Sequence, residues 1–133
     1  AASLHLDAVR ISRTPLFTAF AGMGQLIGRL GLFTLSELSL WKAKRRHFRV
    51  PDHFEGIVAG EAVHEGHFLH ILKDLRPGTT EVMMHPGTDN ENLIPACDWE
   101  HDFEAEMQAI VSPKVRRMIA DKAVKVVNYR DLK

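Results

Sequence analysis

Eight histidines stand in this chain of 133 residues, so imidazole chemistry, either metal binding or proton transfer near neutral pH, is the first thing to weigh. His64, His67 and His70 are spaced three apart and look at first like a chelate. On a helix turning about 100° per residue, His67 lies about 60° and His70 about 120° from His64, too divergent for one metal ion. One semi-buried and two solvated side chains are expected there. His5, His47, His53 and His101 are isolated in sequence and read as surface residues.

His85 differs by its address. It closes an apolar run, Thr79 to Met84, that reads as a strand, and in folds built on parallel strands that end is where ligands bind and chemistry occurs. Pro86 keeps the residue before it extended, and Gly87 lets the backbone turn without a side chain over the site. An ordinary strand ending before a Pro-Gly turn is the competing reading. Asp89 and Glu91 follow, placed to orient that imidazole or to meet a substrate. Between Pro77 and Pro113 stand eight acids and no Lys or Arg. Five of them, Asp98, Glu100, Asp102, Glu104 and Glu106, belong to a helix or its cap and read as a solvated face. The basic cluster Lys42, Lys44, Arg45, Arg46 and Arg49 is a complementary surface.

The elements that must position these groups follow from periodicity and turn chemistry. Leu6 to Ile11 reads as a short strand. Leu16, Phe20, Met23, Ile27 and Leu30 form one apolar stripe and predict a helix, and Thr34-Leu35-Ser36-Glu37 has the capping-box form that starts a second, with Leu38, Trp41 and Phe48 on one face and Pro51 ending it. Val63 to Leu75 is a third helix with Phe68, Ile71, Leu72 and Leu75 inward, and Arg76-Pro77-Gly78 is a turn. A polar loop runs from His85 to Pro95. Trp99, Phe103, Met107 and Ile110 mark a fourth helix, and Ser112-Pro113 caps a fifth with Val115, Met118 and Ile119 inward. Val124 to Val127 is a last strand. Strands separated by helices predict an α/β fold of parallel-strand βα units.

Composition bounds the rest. The chain is 45% apolar and 26% charged, with seventeen Lys+Arg against seventeen Asp+Glu, so no global field draws it to nucleic acid or an anionic membrane. Apolar stretches stop well short of the roughly 20 residues of a membrane span. The single Cys97 forms no intrachain disulfide, and the expected compartment is the reducing cytoplasm. The first residue is Ala, and three clear strands with a fourth weak one are few for a parallel sheet, so residues 1–133 are expected to be a single α/β unit that belongs to something longer or pairs with another copy as a homo-oligomer.

Several of these motifs together resemble a family. Gly78-Thr79-Thr80-Glu81-Val82-Met83-Met84-His85-Pro86-Gly87, the tail Ser112-Pro113-Lys114-Val115-Arg116 and Val124-Lys125-Val126-Val127-Asn128-Tyr129 are similar to the C-terminal half of the YdjC-like carbohydrate deacetylases, which include the chito-oligosaccharide deacetylases. Val9-Arg10-Ile11 resembles the strand after that family's central His-x-His motif, and His53-Phe54-Glu55-Gly56 with Gly60 its Phe-x-Gly segment. The resemblance implies an irregular TIM-like α/β barrel and metal-dependent hydrolysis of the N-acetyl group of an amino-sugar oligosaccharide. Its divalent metal, Mg or Zn, is held by an Asp of an Asp-Asp motif and by two His, none of which has a counterpart here, so this chain alone is expected to bind no catalytic metal and to be inactive. The role of general acid toward the leaving amine falls on His85, with Arg10 and Asp89 as substrate contacts. Phe103 stands about where the family often carries Arg. Two other readings remain open: a non-catalytic α/β assembly module, and a metal-sensing chain built on the eight His, against which the helix angles weigh.

Overall fold

The computed structural model describes residues 7–12, 23–56 and 62–132, with side chains omitted for 23–32. By contact the chain divides into two compact units: residues 1–54, 78–81 and 127–133, and residues 55–77 and 82–126.

In the first unit, helix α1 spans Met23–Arg45 without a break. Thr34 to Glu37 therefore lies inside a helix and does not begin one. Cap chemistry satisfies backbone N–H groups that have no earlier turn to bond, and here the preceding turn supplies the acceptors. Leu38 and Trp41 are exposed, so the expected apolar face is not the buried one; Ala43 is the buried residue near the end of the helix. Lys42, Lys44 and Arg45 occupy the last turn, with the Arg45 guanidinium 4.7 Å from the centroid of the Trp41 ring. The helix stops ahead of Pro51. His47 adopts φ 58°, and Phe48 N–H donates to the Ala43 carbonyl at 3.0 Å, closing the last turn. The extended segment around Ala8 reduces to one parallel bridge, Ala8 to Arg49.

Among the described residues one sheet forms, from β1 (His53–Glu55) and β2 (Thr80–Val82). His53 N–H donates to Thr79 O and Met83 N–H to Glu55 O, both at 3.0 Å, which is a parallel register. A parallel α/β organisation therefore stands, while the described residues do not form a TIM-like barrel. Gly78, at φ 111°, makes the turn into β2 as its position after Pro77 predicts, and the Asp52 carboxylate accepts from Thr79 N–H at 2.8 Å beside it.

The second unit is helical. It contains α2 (Glu65–Lys73), α3 (Asn90–Cys97), α4 (Phe103–Val111) and α5 (Pro113–Asp121). Helix α2 buries Ile71 and Leu72, and packs with α4 and α5. Ser112 caps α5, its hydroxyl accepting from Lys114 N–H at 3.1 Å and donating to Glu65 at 2.5 Å, and Val115 is buried below it. Helix α3 replaces the expected loop. It contains Pro95, with Asp89 as its N-cap and Asp98 in the left-handed region at φ 48° as its C-cap. Val124 to Val127 is not a strand: Val126 is 76% exposed, and no ladder partner accompanies it among the described residues. The short 3-10 turn η1 (Tyr129–Asp131) follows, in the first unit. No helix of the described residues is long and apolar enough to cross a membrane.

Candidate functional site

His85, His101 and Glu106 come together in the second unit. His85 arrives by continuation of the chain from β2 through Met83 and Met84, and Pro86 holds it extended. Gly87 then seals the turn against α4: its N–H donates to Phe103 O at 3.0 Å, and a Cβ at this position would stand 2.9 Å from Phe103 Cβ and closer still to Leu93. Glycine is required here by close approach.

The start of α4 is fixed by a polar clamp. Asp102 caps it, accepting from Ala105 N–H at 2.9 Å and from the Asn90 side-chain amide at 2.8 Å. Asn90 N–H donates to Glu104 at 3.2 Å and its side-chain oxygen accepts Glu104 N–H, also at 3.2 Å. The Ala105 N–H, and after it the Asn90 amide, hold the Asp102 carboxyl below its ordinary range.

In the first turn of α4, Glu106 points inward and is 1% exposed. One oxygen accepts Val63 N–H at 2.9 Å, and the other accepts His85 N–H. An unpaired buried carboxylate would be costly, and these two backbone donors are what make its burial tolerable. The residue read from sequence as part of a solvated acidic face is thus the anchor of the site. A second correction concerns His101, which is 6% exposed and not a surface residue. Its Nε2 lies 3.2 Å from Glu106 Oε1, yet neither ring nitrogen has an aligned hydrogen-bond partner. The ring stacks on Trp99, with centroids 4.1 Å apart, and meets the edges of Phe103 and His85 at 4.9 and 5.5 Å. His85, half-buried, also packs against Trp99 with centroids 5.1 Å apart. One ligand atom from each of His85, His101 and Glu106 lies within 4.8 Å of the others.

His101 and Glu106 were not singled out by the sequence. The available signal was the i, i+3 spacing of Phe103 and Glu106, which puts the acid on the face of a buried aromatic. The His64, His67 and His70 series does not converge: His64 Nδ1 is instead the N-cap of α2, accepting from His67 N–H at 3.3 Å.

The other two sequence-derived positions have partners of their own. Asp89 accepts from Asn92 N–H at 3.0 Å and from the Asn92 side-chain amide at 2.6 Å, which lower its carboxyl below the ordinary range, the side-chain bond foremost. Arg10, in the first unit, pairs through Nε with Glu81 Oε1, whose second oxygen accepts from the Tyr129 hydroxyl. Burial works against the Arg10 charge, and the hydrogen bond and charge of Glu81 together outweigh it, holding the guanidinium above its ordinary value. For Tyr129 burial and Glu81 act in the same direction and raise the phenol.

The site is thus a half-buried imidazole three residues beyond β2 whose backbone is fixed by a buried carboxylate, in an α/β protein. The chain belongs to the YdjC-like protein family, whose model matches residues 1–121. It is similar to a protein named carbohydrate deacetylase from Thermoanaerobacter pseudethanolicus, with 29% identity over 82 residues. That match takes in 62% of this chain and 33% of the relative's length. No solved structure matches the chain.

The metal ligands that the family resemblance implies, one Asp and two His, have no counterpart among these residues. His85, His101 and Glu106 are a different set, two imidazoles and a carboxylate that has given both oxygens to backbone donors. They are not the one Asp and two His to which the resemblance assigns the family's metal.

Proposed function

We propose that this chain is the acid-donating part of a metal-dependent carbohydrate deacetylase that hydrolyses the N-acetyl group of an amino sugar. The observation that carries this reading is His85 at the end of β2's continuation, half-buried and pinned by Glu106, in a member of the YdjC-like family. In amide hydrolysis, attack of water on the acetyl carbon leads to cleavage of the C–N bond, and the departing nitrogen must take up a proton. Imidazolium titrates near neutrality and can supply it at little cost. Trp99, 40% exposed and edge-to-face with His85, adds apolar surface of the kind that sugar rings lie against. Asp89 and the half-exposed Arg10 are proposed as contacts to substrate hydroxyls.

The residues that activate water lie outside this set, so the chain alone is expected to release little or no acetate from diacetylchitobiose. Fused to the N-terminal part of a family member, it should complete the activity, and His85→Ala in that fusion should lower kcat by about 10² to 10⁴ with a smaller change in KM. Unchanged turnover in the His85→Ala fusion would remove His85 from the reaction.

A further inference from the structure

We propose that His85, His101 and Glu106 form a binding site for one divalent cation of the Zn²⁺ type, separate from the metal that the family resemblance implies. Three observations converge on it. The ligand atoms, one from each side chain, lie within 4.8 Å of one another, and no other such group occurs among the described residues. The His101 Nε2 to Glu106 Oε1 distance of 3.2 Å is close to the separation of about 3.3 Å between two ligands on a tetrahedral Zn²⁺ with bonds of about 2.0 to 2.1 Å. Both nitrogens of the His101 ring are buried without a hydrogen-bond partner, a state that costs free energy unless something else takes up the lone pair.

The chemistry of the set selects the ion. Two imidazoles and one carboxylate suit Zn²⁺ and disfavour Mg²⁺, which prefers six oxygens. Glu106 can serve although it already accepts two backbone N–H groups, because a carboxylate has about four lone-pair sites and one remains on each oxygen. The backbone bonds orient it as second-shell donors orient ligands in known zinc sites. His85 is the half-exposed member of the set, whereas His101 and Glu106 are buried. Coordination takes the ring-nitrogen lone pair that the acid role proposed above must carry protonated, so cation binding and proton donation are alternative uses of His85.

Calorimetric titration of the full chain with Zn²⁺, in the absence of sugar, tests the site without reference to catalysis. A Co²⁺ titration read by visible absorption reports tetrahedral geometry in parallel. One ion per chain is expected. His101→Phe keeps a ring between Trp99 and Phe103 and should weaken binding about a hundredfold or more, because loss of a ligand costs at least as much as loss of its supporting contacts. His85→Asn, at a half-buried position, does the same should His101→Phe not fold. The double variant H67A/H70A should bind as the parent chain does. Absence of one-to-one binding, unchanged affinity in the folded His101 or His85 variant, or loss of binding in the double variant would each overturn the site.

Discussion

Two groups of histidines behave in opposite ways. His64, His67 and His70 sit within seven consecutive residues and fan out around α2, one of them spent as the helix cap and another, His70, paired at 3.5 Å with exposed Asp74. His85 and His101 lie on separate segments and meet because the chain beyond β2 and the approach to α4 are both tied to that helix. Proximity along a helix disperses side chains, whereas closure of the tertiary fold gathers them. The carboxylate of Glu106 is what separates the two cases, since it binds backbone from two distant segments, whereas Glu65 of α2 binds the side chains of Ser112 and Lys114.

The comparison is tested hardest by Glu106→Ala. This change strands Val63 N–H and His85 N–H in the interior and leaves a cavity beside His101, so urea unfolding should show a loss of about 3 to 5 kcal/mol. His70→Ala, which breaks an exposed pair, should cost no more than about 0.5 kcal/mol. Equal losses for the two variants would mean that Glu106 is not the anchor. Gly87→Ala comes next. Its methyl group would press on Leu93 and Phe103, and an overpacking cost of about 1 to 3 kcal/mol in the same assay is expected; a neutral result would show that the turn has room to spare.

The smallest effect expected is on acid stability. Asp102 and Asp89 have carboxyls held low in the folded chain, so their contribution is complete above the unfolded aspartate value of about 3.9 and is lost as pH falls through the lower native values. Thermal midpoints of Asp102→Asn should therefore depend less on pH below about 4 than those of the parent chain. A parallel decline in both would assign the acid sensitivity elsewhere.

What was legible in the sequence was local chemistry. Ser112-Pro113 capping α5, the Pro77-Gly78 turn and the inward residues Ile71, Leu72 and Val115 each depend on near neighbours in the chain, whereas the strand expected to run up to His85 stops at Val82. What was hidden depended on partners far away. A buried Glu106 reads like any acid in an acidic run until Val63 and His85 are known to face it. Thr34 to Glu37 has the form of a cap, but the helix before it makes a cap unnecessary. Val124 to Val127 has strand composition without a strand beside it, and an extended β-branched run gains ladder bonds only from a neighbour. Pro95 suggested a loop, yet the caps Asp89 and Asp98 bracket a helical segment that accommodates it.

Helix α4 holds three backbone amides from two separate stretches of chain: Val63 and His85 through the Glu106 side chain, and Gly87, two residues after His85, through the carbonyl of Phe103. Withdrawal of α4 would release all three bonds together. Through that shared helix the three amides are expected to exchange their hydrogens at a common rate whenever α4 opens as a unit, and the histidine site is exposed in the same event.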